Sequence, residues 1–201
     1  MATITTRVLG FTAAALAAFV VVSGIAAQGH RGPNPDSCLA CLGTSDVAAC
    51  HEVAVELATN LDWDRAIAIE EKIHQRQPRN AEVASVLAKM YYQGAKNSPR
   101  AIALYHEALG AVSGYPPALL GLGTIMQEQG EMEIAGRYFA RGSKERPDVP
   151  LFKVRLADVM VKSGREAEAR PILLEIVQRW PGSAEAESAR KLISRTDLAR
   201  P

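Results

Sequence analysis

Residues 118–147 read ALLGLGTIMQEQGEMEIAGRYFARGSKERP, and this stretch decides the fold. Its two halves are each apolar on a helical period, with Gly130 between them. Glycine takes left-handed backbone without a Cβ penalty, so Gly130 is placed to end a first helix. Pro147 closes the second half, because proline lacks an N–H and clashes with the preceding helical turn. Two helices joined by a short turn are expected here.

The arrangement recurs along the chain. Pro147 and Pro181 lie 34 residues apart, and Pro78 lies 69 before Pro147. Ala66, Ala101, Ala135 and Ala169 are spaced by 35, 34 and 34 residues. Ala54, Ala88, Gly123 and Ala157 form a second small series, spaced by 34, 35 and 34. Two large series accompany them: Val53, Leu87, Leu122 and Leu156, and Leu57, Tyr91, Met126 and Met160. The one-residue excess falls in GAKNSPRA, residues 94–101, between two helices, where an insertion is tolerated best. Small residues belong where helices cross closely, and large ones fill the space beside them. A single helical pair cannot bury its apolar face, whereas stacked pairs bury a continuous core.

These positions resemble the tetratricopeptide repeat (TPR) family, in which a 34-residue period carries Leu-Gly and Tyr in the first helix, then Ala, an aromatic and Ala in the second, and a closing Pro. Leu122-Gly123, Ala135, Phe139 and Pro147 match in one period, and Leu87-Ala88, Tyr91, Ala101, Tyr105 and Ala108 in another. The resemblance implies an all-α protein: a right-handed α-solenoid of four helix pairs (47–80, 81–115, 116–149 and 150–183) with a capping helix over 184–195 and a tail over 196–201. Departures are Cys50 where the family has Trp, Leu61 where it has Gly, and SGYPP without the closing proline at the end of the second unit. Pro171, inside the expected second helix of the fourth unit, should bend that helix or delay its start.

The resemblance further implies that first helices line a concave groove for an extended peptide or a partner helix. Carried over position by position, the groove falls on His51 and Val55, then Ser85, Lys89 and Tyr92, then Leu120, Thr124 and Gln127, then Val154, Asp158 and Val161. The Lys/Asn clamp with which some relatives hold a C-terminal carboxylate is absent.

Outside the repeats, the chain begins with an apolar stretch. Arg7 precedes VLGFTAAALAAFVVVSGIAA (8–27), which has no charge. A positive charge before an apolar core reads as a secretory signal, with Ile25-Ala26-Ala27 as a cleavage site. About twenty apolar residues also suffice for one membrane-spanning N-terminal helix. Either reading places residues 28–201 outside the cytosol, in a periplasm or beyond it. Residues 28–46, QGHRGPNPDSCLACLGTSD, carry Gly29, Gly32, Pro33, Pro35 and Gly43, which exclude a continuous helix and read as a linker.

The three cysteines lie close together, at Cys38, Cys41 and Cys50, with His51 beside the last. In an exported protein a disulfide is the plainest reading, either Cys38–Cys41 with Cys50 a packed core thiol or Cys41–Cys50 tying linker to helix. A zinc site of three thiolates and His51 is an alternative, but Cys50 and His51 are about 100° apart on a helix. Covalent haem needs CxxCH, and CLACL and VAACH each miss it by one residue. Thiol exchange through CxxC wants a thioredoxin-like setting, which is lacking. Leu39-Ala40-Cys41 lies too far from the apolar run for lipid attachment.

Charge and motifs narrow the function. The 201 residues hold 23 Lys+Arg and 22 Asp+Glu, for a net charge of +1, so no nucleic-acid partner is expected. Apolar residues make up 48% but aromatics only 5%, which suits close-packed, Ala-rich helices. No Gly-rich phosphate loop, Ser nucleophile elbow or HExxH occurs, and carboxylates such as Glu70 and Glu71 read as solvated helix surface. The expectation is a non-enzymatic interaction scaffold without cofactor that binds a protein or peptide within a membrane-associated complex. The alternatives are a redox, metal or cytochrome-assembly accessory acting through the cysteines, and a structural subunit of a larger membrane complex.

Overall fold

A computed structural model describes Pro35, Asp36, Cys38 and residues 46–198. The apolar run at 8–27 and Cys41 lie outside the described residues. All the described elements are helical, in the order α1 (Val47–Thr59), α2 (Trp63–Arg76), α3 (Ala81–Gln93), α4 (Ser98–Ala111), α5 (Pro116–Glu128), α6 (Met132–Glu145), α7 (Pro150–Lys162), α8 (Glu166–Arg179) and α9 (Ala184–Leu198). Each helix packs on the next in the chain, α3 also touches α5, and α9 covers both α7 and α8.

Local chemistry sets the helix ends. The Asp46, Asp62, Asn80 and Asn97 side chains accept backbone N–H groups at the starts of α1 to α4. Pro116 and Pro150 open α5 and α7, where the missing N–H costs nothing. Every turn inside a pair contains one residue with positive φ: Leu61 (65°), Lys96 (54°), Gly130 (84°) and Gly164 (73°). The turn thus needs left-handed backbone in all four units, and only two of them use glycine.

The core follows the periodic series. Ala54, Ala88 and Ala157 are inaccessible, as are Ala66, Ala101, Ala135 and Ala169. Gly123 belongs to the first of these series for a steric reason: a Cβ there would overlap the Phe139 ring. Leu122, Phe139, Phe152, Leu173 and Ile176 fill the space between layers. The buried residues divide into successive clusters along the stack, as expected where each layer meets only its neighbours.

Two sequence expectations change. Pro171 lies inside α8, yet the helix is continuous from Glu166, so its start is not delayed. The carbonyl left without its N–H belongs to Ala167, four residues earlier, which is exposed and open to water. Glu70 is not solvated surface but fully buried. It continues the series Glu70, Tyr105, Phe139, Leu173, spaced 35, 34 and 34, which occupies the second-helix core position. The burial is tolerated because His51 supplies a partner.

Candidate functional site

Residues three and four apart share a helix face, so each first helix presents a stripe. Ser85, Lys89 and Tyr92 on α3 and Leu120 and Thr124 on α5 line one cavity of about 640 Å³. Arg155 of α7 borders it, with Glu82 at the α3 start and Tyr115 and Pro117 at the α5 start. Tyr105 reaches in from α4, and it does so through Gly121, where a Cβ would overlap its ring. Burial pushes the Tyr105 phenol up to about 12, so it stays neutral as a wall of the cavity.

The remaining stripe residues are distributed around this cavity. Val55 borders a smaller hollow of about 230 Å³ between α1 and α3, with Trp63, Met90 and again Lys89. Val154 and Asp158 border another of about 330 Å³ between α7 and α9, together with Arg155, Lys191 and Arg195. His51 faces a hollow of about 180 Å³ near Gln77, Asn80 and Glu82. Gln127 lies between α5 and α7 and donates to Asp158 at 2.8 Å. Val161 packs on the core of the fourth unit. Glu82, Tyr105, Tyr115 and Arg155 were not read as groove residues from the sequence. Arg155 lies three residues before Asp158 on one helix face and was recoverable from helix geometry, whereas Tyr105 depends on the gap at Gly121.

Polar ties cross between successive first helices. The Tyr92 hydroxyl of α3 donates to Glu128 of α5, and Gln127 of α5 reaches Asp158 of α7. Burial, then the Glu128 carboxylate, pushes Tyr92 up to about 12. Asp158 also takes Lys162 at 2.7 Å. The Ser85 hydroxyl is buried and has no hydrogen-bond partner, although the residue lines the large cavity.

At the N-terminal edge, His51 Nδ1 lies 3.0 Å from both oxygens of buried Glu70. That hydrogen bond raises the imidazole pKa above its ordinary value; desolvation opposes it, and Glu82 and Glu52 add to it. Cys50 is a buried free thiol, at the core position expected for it. Cys38 is fully buried in the same cluster with Ala54, Ala66, Ile69 and Ile73, so part of residues 28–46 packs on the first unit. Pro35, Asp36 and Cys38 have helical backbone, and Asp36 lies 3.6 Å from Arg65 of α2. Among the described residues no group of three His, Cys, Asp or Glu side chains is placed to hold a metal ion. No described helix is long and apolar enough to cross a membrane.

A stack of helix pairs with this register is the tetratricopeptide-repeat fold, and known structures agree. A thermophilic TPR protein of Thermus thermophilus superposes with a TM-score of 0.61 at 19% identity, over 74% of this chain and 80% of that one. PilF of Pseudomonas aeruginosa gives a TM-score of 0.64 at 17% identity, over 76% and 69%. MamA gives 0.60 at 19% identity, over 73% and 85%. No protein-family profile and no curated protein matches the sequence.

Proposed function

We propose that this chain is a non-catalytic scaffold that holds a peptide or a partner subunit along its first helices, on the extracytoplasmic side of a membrane. One observation carries the binding reading: α3, α5 and α7, from three different units, contribute to one cavity of about 640 Å³. A groove assembled from several repeats suits an extended chain, whose successive residues meet successive helices. The membrane setting rests on the uncharged run at 8–27, whether as cleaved signal or retained anchor. The scaffold is then free in a periplasm or fixed to the membrane as part of a complex.

A photoreactive amino acid placed at Thr124, within the cavity, tests this in native membranes. The expected result is one defined crosslinked partner. The same group at Ala103, exposed on second helix α4, should not trap it. Equal labelling from both positions, or none from Thr124, removes the groove reading. N-terminal sequencing of the native protein separates cleaved signal from anchor, and a start at Met1 or Ala2 with no membrane association excludes both.

A further inference from the structure

We infer that the groove selects an acidic peptide segment, with Lys89 and Arg155 meeting its side-chain carboxylates and the Tyr92, Tyr105 and Tyr115 wall taking an apolar or aromatic residue. This rests on the groove reading above and adds the chemistry of the occupant. The first support is charge left over. Among the described residues neither Lys89 nor Arg155 has an ion-pair partner, though both border the large cavity. Some surface cations are neutralised locally, as Arg141 is by Glu145 and Arg165 by Glu168; Arg76, Lys96 and Lys144 also have no ion pair among the described residues, but none of them borders this cavity. Two uncompensated cations beside one cavity favour a ligand of opposite sign.

The second support is the position of the acids. Asp158 is occupied by Lys162 and Gln127, which leaves Glu82 as the free carboxylate at the cavity's α3 end. Beyond Arg155 the next hollow adds Arg195, also without an ion-pair partner among the described residues, while its Lys191 is already paired with Glu187 at 2.9 Å. The groove therefore sets Lys89, Arg155 and Arg195 against one unpaired carboxylate, Glu82. An acidic segment would lie with its carboxylates along Lys89 and Arg155.

The test uses the full-length chain, held in mild detergent and immobilised. It is offered a random library of N-acetylated, C-amidated dodecapeptides, which carry no terminal charge. The expected result is enrichment of peptides with two or more Asp or Glu and one apolar or aromatic residue. Their affinity should fall about tenfold for the Lys89→Glu/Arg155→Glu chain, and fall as salt rises from low to physiological strength. Both substitutions are on exposed positions, and an unchanged melting curve verifies that the variant folds. Enrichment of neutral or basic peptides, or acidic enrichment that persists in the double variant, overturns the acidic assignment and leaves the groove reading intact. Enrichment only of peptides with an uncapped carboxyl terminus, in a parallel library, overturns it too, by assigning the charge to chain ends. No enrichment in any library overturns both readings.

Discussion

The His51–Glu70 pair puts a charge where the other three units put Tyr105, Phe139 and Leu173. A buried carboxylate with its partner removed is costly, so His51→Ala should lose about 3 kcal/mol of stability near pH 6, read from the urea midpoint. The pH dependence has a definite sign. The folded-state pKa of His51 lies above the ordinary value of 6.5, so its contribution is full below that value and is lost as pH rises through the raised one. The gap between the parent and His51→Ala chains should therefore narrow as pH rises above 6.5; a widening gap would contradict the pairing. Leu61 is the other unusual residue, 71% exposed and with φ of 65°. Leu61→Gly should raise stability by about 0.5–1 kcal/mol, because relief of the left-handed strain exceeds the added chain entropy. Leu61 was legible in the sequence as a departure at a glycine position. Glu70 was not, because charge suggested surface; its place in a 35, 34, 34 series was the stronger signal.

At the scale of the element, α8 shows what packing can override. Proline in a helix interior is disfavoured by about 3 kcal/mol relative to alanine. Here Ala169 and Leu173, on either side of it in the helix, are buried in the stack and hold α8 in place. Pro171→Ala restores the bond to the Ala167 carbonyl and should raise the thermal midpoint by several degrees; a lowered midpoint would mean that Pro171 is needed for packing. Of the bend or late start that the proline predicts from sequence, the late start does not occur, because a single-element argument omits the contacts with α7 and α9. The insertion at 94–97 was legible, since a period with one surplus residue must lose it in a turn. Its consequence was not: Gly94 lies against the Trp63 ring, where a Cβ would overlap, so the end of α3 seats the start of α2.

For the whole molecule, stability is expected to run along the stack as a sum of neighbouring layers. Helix α9 covers α7 and α8 through Ala186, Ala189 and Leu192. A chain ending at residue 183 should show faster amide exchange first in α7 and α8, with α3 and α4 nearly unchanged. Uniform loss of protection would mean that the array melts as one unit. The repeat architecture was legible because several correlated series repeat the same interval. The groove was legible only as stripes on single helices; the tyrosine wall arises from three elements meeting. That meeting has a mechanical side. Tyr92 with Glu128, and Gln127 with Asp158, fasten consecutive first helices by single side-chain bonds, each worth about 1 kcal/mol. Fastenings of this size open and close readily, so on this face they add to the apolar layers behind them a restraint that is easily exchanged. Any group that competes for Glu128 or Asp158 would loosen one first helix from the next, and amide exchange at the ends of α5 and α7 would register it.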